Sequence, residues 1–421
     1  MVACVSVVTS VIAFPPSRGA RDSRRNVSAT DCGSRHQRTC SCDFYRDILV
    51  HTNSLRDLLV FSHLRWGWVY QRPQHLMVRA ARDRHVYFHE EPICDAEEPT
   101  MCVTQVERNL QVVTPHLPAG LTHSETIDLQ RQLLNDWIES HDILPETLWY
   151  YTPVALEFTS HIRAPTIVYD CMDELSAFSG APPTLRAFER QLFSKADVVF
   201  TGGISLYEAK RTLHNNVHAM PSCVDLDHFK SARGVVGEHP LQAHLPRPRV
   251  GFCGVLDERL DLPLIEQTAA MNPSLTFIFA GPVCKIEESS LPTGDNIRYL
   301  GPCAYADLPQ LLAGWDIGWM PFALNDATQF ISPTKTPEYL AAGLPVVSSP
   351  IKDVVRTWGD DGFVRIAATS VEFTEALNAQ LSAPASQSRQ ALIDRTLALH
   401  SWDALWYRMD ERIRLTAVNA A

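Results

Sequence analysis

The sequence predicts an α/β protein built from two Rossmann-like halves, and three observations lead to this prediction. Short apolar runs typical of buried strands alternate with segments of helical periodicity from residue 56 onwards. This alternation stops at residues 231–248, which are rich in Gly, Pro and His, and then resumes. The chain has 421 residues, of which 45% are hydrophobic and 20% charged, so it can form two or three globular domains.

The first half is expected to form a parallel sheet with helices on both faces, because each strand is followed by a helical segment. The predicted strands are 57–61, 85–90, 111–115, 148–152, 166–170 and 197–203. The predicted helices are 72–83, 124–140 and 184–195.

The second half repeats this architecture without repeating the sequence. Its predicted strands are 249–255, 275–282, 297–301, 316–322 and 345–347. Its predicted helices are 261–270, 305–313, 333–342 and 370–382, followed by a helical tail over 386–416. Rossmann-like halves bind ligands at the carboxyl ends of their strands, so a cleft between the halves is the expected site.

Residues 1–53 differ from the rest of the chain. The first 50 residues hold seven Arg and four Asp, whereas the whole chain carries a net charge of −11. The segment shows little periodicity, and we predict a poorly ordered basic leader. A targeting peptide is the alternative, although no positive residue precedes the Val-rich start and no clear cleavage site follows it.

The segment 329–350, QFISPTKTPEYLAAGLPVVSSP, carries the most specific pattern of the chain. It predicts a loop, a helix and a short buried strand. Ser332 suits the N-cap, Pro333 suits the first helical position, and Gly343 suits the end of the helix.

Lys335 and Glu338 lie three residues apart near the start of this helix, so they share one face. Backbone N–H groups and a lysine at a helix N-terminus suit a diphosphate. A glutamate one turn later can accept hydrogen bonds from a ribose diol. The alternative is an amphipathic helix whose Lys and Glu are merely solvated.

The composition argues against several other functions. The acidic balance argues against general nucleic-acid binding, which needs a basic face. No apolar run is long enough to span a membrane, so any membrane contact would be peripheral. We expect a cytoplasmic protein, with any such contact at the inner face of the membrane. The 11 Cys form no metal framework, because Cys40 and Cys42 are too close for the usual ligand spacing. Asp225 and Asp227 resemble a metal-binding D-x-D pair, but we interpret them as structural and expect no metal.

Ordered strings across residues 56–416 resemble bacterial GT-B glycosyltransferases of the family 1 and family 4 type. The resemblance is strongest to a subgroup often encoded near UDP-galactopyranose mutase and related to teichuronic-acid and exopolysaccharide enzymes. The matching strings include FSHLRWGWVYQRPQHL (61–76), VYDCMDELSAFSGAPP (168–183), FTGGISLYEAKR (200–211), VGFCGVLDERLDLPL (250–264), GPVCKI (281–286) and the segment 320–355.

The resemblance implies a GT-B fold, in which two Rossmann-like domains face a central cleft and a C-terminal helix crosses back to the first domain. The implied domains are an acceptor domain (54–232), a linker (233–248), a nucleotide-sugar domain (249–385) and helices packing back on the acceptor domain (386–421). The implied substrates are a nucleoside-diphosphate sugar, with UDP favoured, and a saccharide or lipid-linked saccharide used in cell-envelope or exopolysaccharide synthesis. No cofactor is implied.

The resemblance places the donor in the second half of the chain. The residues expected to bind it are Gly254, Arg259, Ser332, Thr334, Lys335 and Glu338. A turn glycine lets the backbone approach phosphate closely, and an arginine can pair with a diphosphate as a bidentate fork. The alternative for Arg259 is a surface ion pair with Asp257 or Asp261, which would leave it no role in donor binding.

The first half is expected to hold the acceptor and the catalytic group. Asp170 ends a predicted strand and Asp173 follows it, and a carboxylate there could accept the proton of the acceptor hydroxyl or support an oxocarbenium-like charge. The alternative for these aspartates is capping of the next helix. Trp66, Gln71 and Arg72 are the candidate acceptor contacts, and the aromatic residues of this loop could instead pack the hinge.

The chain departs from the family pattern at two positions. Phe330 stands where many members have a Glu that contacts the donor sugar, and Gln329 stands where the subgroup often has Arg. Two other functions therefore stay open: a non-catalytic nucleotide-sugar-binding or scaffold protein, and a GT-B nucleotide-sugar epimerase.

Overall fold

The computed structural model describes residues 56–383 and 386–420, so the predicted leader 1–53 lies outside the described residues. Residues 56–420 form one compact unit with two sheets. The first sheet has eight strands in the order β3-β4-β2-β1-β5-β6-β7-β8, and the second has six in the order β11-β10-β9-β12-β13-β14. The α/β prediction is therefore confirmed.

The first sheet and its helices occupy residues 56–219. The strands are β1 (Arg56–Phe61), β2 (Arg84–His89), β3 (Thr100–Glu107), β4 (Leu110–His116), β5 (Pro145–Tyr150), β6 (Thr166–Cys171), β7 (Val198–Thr201) and β8 (Val217–Ala219). The helices are α1 (Arg72–Ala80), α2 (His123–Ser140), α3 (Leu156–Thr159), α4 (Leu185–Lys195) and α5 (Ile204–Lys210). All pairings are parallel except that between β3 and β4.

The antiparallel strand β3 was not predicted. It lies at the edge of the sheet and nearly all its residues are exposed. A solvated edge strand lacks the buried apolar run by which the other strands were predicted.

The second sheet follows helix α6 (Leu226–Lys230) and is parallel throughout. The strands are β9 (Arg249–Cys253), β10 (Thr276–Ala280), β11 (Ile297–Gly301), β12 (Ile317–Met320), β13 (Val346–Ser348) and β14 (Val364–Ile366). The helices are α7 (Leu262–Met271), α8 (Leu308–Ala313), α9 (Lys335–Ala342), α10 (Lys352–Val354), α11 (Ser370–Ser382), α12 (Gln387–Ala398) and α13 (Trp402–Ala420).

Each face of the first sheet carries its own core. Leu58 and Val60 belong to one buried cluster, whereas Leu59 and Phe61 belong to another. Successive residues of a strand point to opposite faces, so the two clusters lie on the two sides of the sheet. A third buried cluster fills the second half of the molecule.

The predicted helical tail is two helices with different partners. Ile393 and Leu397 of α12 join the core of the second half, whereas Trp402, Trp406 and Met409 of α13 join a core of the first half. The crossing back of the last helix is therefore confirmed. Helix α12, which was expected on the first domain, packs on the second because its apolar face lies against α9.

Candidate active site

The carboxyl ends of the two sheets meet in this structure. The segment that follows β6 contacts the segment that follows β9, because the Ser179 N–H donates a hydrogen bond of 3.0 Å to Glu258 Oε1. These are the strand ends at which Rossmann-like halves bind their ligands. The residues near this contact therefore form the candidate active site.

Helix α9 begins later than the sequence predicted. Thr334 is its N-cap and Lys335 its first residue, so Ser332 and Pro333 lie in the preceding loop. A proline is tolerated throughout the first turn, where N–H groups lack helical partners. Pro333 and Pro337 both fit that rule, and the sequence could not distinguish the two starts. Gly343 ends the helix with a φ of 88°, as expected of a C-terminal glycine.

Lys335 and Glu338 form a buried ion pair. Lys335 Nζ lies 2.7 Å from Glu338 Oε2, and only 4% of Glu338 is exposed. Burial lowers the pKa of Lys335, but the Glu338 carboxylate more than offsets this, and the pKa is raised overall. An ammonium group has three N–H donors, so two stay available for a phosphate. The solvated-helix alternative is therefore wrong, since Glu338 is buried and Lys335, which is half-buried, is paired with it.

The Gly254 turn lies beside this lysine. A Cβ added to Gly254 would lie 3.8 Å from Lys335 Cε. Gly254 has a φ of 153°, which a residue with a side chain rarely adopts. The turn and the ammonium group thus border the same space, as the prediction of a donor site requires.

Tyr339 holds α9 against the end of β9, a role that the sequence analysis missed. The Cys253 N–H donates a hydrogen bond of 2.8 Å to the Tyr339 hydroxyl. Its ring also fills the space beside Gly318, where an added Cβ would lie 2.5 Å from the ring. No local sequence pattern indicates this role, because the contact joins residues that are far apart in the chain. This contact fixes the position of Lys335 relative to Gly254.

Arg259 is paired with a neighbouring carboxylate. Its Nη2 lies 2.7 Å from Asp257 Oδ2, and its Nε lies 2.9 Å from Asp257 Oδ1. Asp261 instead accepts a hydrogen bond from the Leu264 N–H and caps α7. Arg259 thus forms the ion pair with Asp257 that was one of the alternatives, and diphosphate binding by Arg259 stays a prediction.

Asp170 and Arg72 are brought together in the core of the first half. Arg72 Nη2 lies 2.8 Å from Asp170 Oδ1, and the two side chains are 2% and 0% exposed. Burial lowers the pKa of Arg72, but the Asp170 carboxylate raises it more, whereas burial raises the pKa of Asp170 despite the nearby guanidinium. In this structure neither side chain reaches a surface that a substrate could contact.

Asp173 is only partly buried and faces the other half of the molecule. Burial raises its pKa to about 6, while the Arg259 guanidinium acts to lower it. Its neighbour Glu174 is anchored by Lys210, whose Nζ lies 2.7 Å from Glu174 Oε2. Of the two predicted aspartates, Asp173 has the position that suits a proton acceptor at pH 7.

The loop after β1 is held by Glu90, a buried residue that the sequence analysis did not single out. The Trp66 N–H donates a hydrogen bond of 2.5 Å to Glu90 Oε1, and the Trp66 ring packs 5.1 Å from that of Phe88. Gln71 lies just before α1 and donates its N–H to Gln74. Trp66 thus packs against the first half, and acceptor binding by Trp66 and Gln71 stays a prediction. The burial of Arg72 against Asp170 argues against the predicted acceptor contact of Arg72.

Phe330 contacts the first half of the molecule. Its side chain packs against the buried cluster that contains Leu59 and Phe61. Nearby, Asp353 Oδ2 accepts a hydrogen bond of 2.7 Å from the Ile204 N–H, at the start of α5. The position that holds a sugar-binding Glu in related enzymes is thus part of a contact between the two halves here.

The described residues offer no metal site. In the ranges 56–383 and 386–420, no group of three or more His, Cys, Asp or Glu side chains is placed to hold a metal ion. Asp225 caps α6 by accepting a hydrogen bond from the His228 N–H, so the structural interpretation of this aspartate is confirmed. The expectation that no metal is required stays a prediction.

No helix among the described residues is long and apolar enough to cross a membrane.

Comparison with known proteins gives a family for the second half. Residues 247–383 match the family model described as Glycosyl transferases group 1. Residues 247–383 are thus similar to a group 1 glycosyl transferase domain. That domain includes the Gly254 turn and helix α9, where the donor site was predicted.

A curated relative matches across about half of each chain. It is the Bacillus subtilis (strain 168) protein named "Putative teichuronic acid biosynthesis glycosyltransferase TuaH", which is 27% identical over 218 residues. The match covers 48% of this chain and 55% of the relative, so the chain spans about half the length of that protein. The resemblance to teichuronic-acid glycosyltransferases is thereby confirmed, and the association with UDP-galactopyranose mutase stays a prediction.

Solved structures share the fold at low sequence identity. Sucrose-phosphate synthase from Thermosynechococcus elongatus superposes with a TM-score of 0.66 at 14% identity, covering 86% of this chain and 100% of that chain. The E. coli structure titled trehalose-6-phosphate, bound with UDP-2-fluoro glucose, gives 0.64 at 12% identity, with coverage of 85% and 99%. These matches confirm the predicted GT-B fold.

Proposed function

We propose that this protein is a glycosyltransferase. It transfers a sugar from a nucleoside-diphosphate sugar, with UDP as the favoured nucleotide, to a saccharide or lipid-linked saccharide in cell-envelope synthesis. The observation that carries the proposal is the buried Lys335–Glu338 pair beside the Gly254 turn, inside a group 1 glycosyl transferase domain. The proposed place of action is the cytoplasm, at the inner face of the membrane.

The arrangement suits the departure of a nucleoside diphosphate. Transfer breaks the bond between the anomeric carbon and the β-phosphate oxygen and forms a bond to the acceptor hydroxyl oxygen. The diphosphate then gains negative charge, which the Lys335 ammonium and the first N–H groups of α9 stabilise. Glu338 keeps this ammonium in place and has a second oxygen with which to accept a hydrogen bond from ribose.

Asp173 is the proposed catalytic carboxylate. It lies across the cleft from Arg259, and its raised pKa, about 6, leaves it mostly ionised at pH 7. In an inverting reaction it accepts the proton of the acceptor hydroxyl, and in a retaining reaction it stabilises the positive charge that develops on the sugar. The buried Asp170 holds Arg72 and shapes the strand end that presents Asp173.

A nucleotide-binding experiment tests the donor site. The melting temperature of the full chain is measured with UDP, GDP, ADP and TDP, and with their sugars. One nucleotide is expected to stabilise the wild type, because a ligand that binds only the folded state raises its melting temperature. The stabilisation should be lost in Lys335→Ala and retained in the control Lys195→Ala, whose lysine ends α4 in the first half. Absence of stabilisation by every nucleotide would favour the non-catalytic alternative.

A further inference from the structure

Three cations near the candidate active site are already paired with carboxylates. Arg72 pairs with Asp170, Arg259 with Asp257 and Lys335 with Glu338. Lys285 differs, because no Asp or Glu of the described residues lies within ion-pair distance of it. Its side chain contacts the aromatic ring of Phe178, with Nζ 4.9 Å from the ring centroid.

Lys285 is exposed, and contacts between neighbouring backbone segments hold the turn that carries it. Leu256 donates its N–H to Pro282 and accepts a hydrogen bond of 3.0 Å from the Cys284 N–H. Gly281 packs so closely on the Gly254 carbonyl that an added Cβ would overlap it. Lys285 itself has a φ of 62°, a conformation that residues other than glycine adopt uncommonly. Such backbone strain persists where surrounding contacts hold it.

Lys285 belongs to the second half but faces the first. Phe178 follows β6, and His63 follows β1. Burial and, to a smaller extent, the positive charge of Lys285 lower the pKa of His63 to about 4. His63 Nδ1 is buried and has no hydrogen-bond partner among the described residues. A neutral imidazole, an aromatic ring and an unpaired ammonium group thus lie together on the acceptor side of the cleft.

We propose that Lys285 binds an anionic group of the acceptor, either the carboxylate of an acidic sugar or a phosphate. An unpaired ammonium group held by an aromatic ring keeps its three N–H donors for such a group. The diphosphate of the donor has its own cation in Lys335, at the start of α9. This proposal rests on the proposed function and adds that the acceptor is acidic.

Ligand-observed NMR titrations of the full chain with three probes test the proposal. The probes are methyl β-D-glucuronide, glucose 6-phosphate and the neutral methyl β-D-glucoside. At least one charged probe is expected to bind about tenfold more tightly than the neutral one, because only a charged probe can pair with the Lys285 ammonium group. The carboxylate and phosphate probes distinguish the two sources of the anion.

Comparison of the wild type with three variants distinguishes the effect of the Lys285 charge from that of its side-chain shape. The preference for the charged probe should be lost in Lys285→Gln and retained in Lys285→Arg and in Lys195→Gln. Equal affinity of the wild type for charged and neutral probes would overturn the proposal, as would an unchanged preference in Lys285→Gln.

A parallel measurement of nucleotide binding separates this proposal from the proposed function. Lys285→Gln should bind the stabilising nucleotide as the wild type does. If the variant loses the nucleotide, Lys285 serves the donor and the acceptor proposal is wrong. If the wild type binds no nucleotide, the proposed function itself fails.

Discussion

Two aspartates three residues apart have opposite surroundings at the end of β6. Asp170 is fully buried and holds three hydrogen bonds from Arg72. Asp173 is partly buried and faces charged groups of the other half. The sequence places both at a strand end and cannot show which one lies in the core, because their local patterns are alike. Tertiary packing makes the first structural and leaves the second accessible.

Replacing Asp170 should therefore affect stability more than chemistry. In Asp170→Ala the Arg72 guanidinium stays buried without its partner, which typically costs about 3–5 kcal/mol. Urea unfolding should show this loss of stability. The exposed Asp128→Ala serves as the control and should change little. Wild-type stability in Asp170→Ala, combined with lost activity, would instead assign Asp170 a catalytic role.

The pKa of Asp173 predicts a pH dependence of stability. Its folded-state pKa of about 6 lies above the ordinary aspartate value of 3.8, so the folded protein binds this proton more tightly than the unfolded chain. Its contribution to stability is then fully present below pH 3.8 and is lost as the pH rises through 6. Asp173→Asn should abolish transfer and raise the unfolding free energy at pH 7.5 by about 1–3 kcal/mol.

Urea unfolding of the wild type and Asp173→Asn from pH 4 to 8 measures this effect. The two curves of unfolding free energy against pH should separate between pH 4 and 6. Parallel curves would contradict the raised pKa, and full activity in Asp173→Asn would remove the residue from the catalytic role.

Helix α5 and the start of α10 form a contact between the two halves. Asp353 accepts hydrogen bonds from the Ile204 and Ser205 N–H groups, at 2.7 and 3.0 Å. Gly203 precedes α5, and a Cβ there would overlap the Asp353 carboxylate and lie 3.1 Å from Ser332 Cβ. The glycine is needed for the two halves to approach this closely.

Gly203→Ala should therefore hinder closure without unfolding either half. We expect kcat to fall at least tenfold, about 1.4 kcal/mol in barrier, while the melting temperature changes little. Steady-state kinetics and small-angle X-ray scattering measure the two effects. Gly234→Ala is the matched control, since nothing lies within 4 Å of its added Cβ. A compact, fully active Gly203→Ala would show that this contact is dispensable.

Among the helices, the sequence predicted α9 and its terminal glycine but not its first residue. Ser332 and Thr334 are both N-cap residue types, and the side chain of Thr334 makes no capping hydrogen bond. The contacts that place Lys335 are long-range, through Tyr339 and Cys253. No local pattern contains such contacts.

The last helix brings the end of the chain back onto the first half of the molecule. Trp402 of α13 is 1% exposed and stacks on His75 of α1, with ring centroids 4.5 Å apart. Trp402→Ala should destabilise the protein by about 3–5 kcal/mol through the cavity that it leaves. Tyr407→Ala, on the same helix but 71% exposed, is the control. Chemical denaturation compares them, and equal stability of the two variants would contradict the packing described.

The overall architecture was predictable from periodicity, because parallel strands buried on both faces give continuous apolar runs. The edge strand β3 was not predictable, because its residues are mostly exposed and form no apolar run. The attachment of α12 was not predictable either, because it depends on which half offers a complementary surface. Likewise, the shared position of Lys335 and Glu338 near the start of α9 was predictable from one segment. The cleft contacts of Asp173, Phe178 and Lys285 arise only when the two halves meet.

The central claim is that the Lys335 site transfers sugar from a nucleotide donor. The most direct measurement is release of nucleoside diphosphate from a panel of nucleotide sugars, followed by mass spectrometry with the wild type and Lys335→Ala. We expect release of UDP from one UDP-sugar by the wild type, with a loss of about a hundredfold or more in the variant. Equal release by the two proteins, or none from any donor, would contradict the claim.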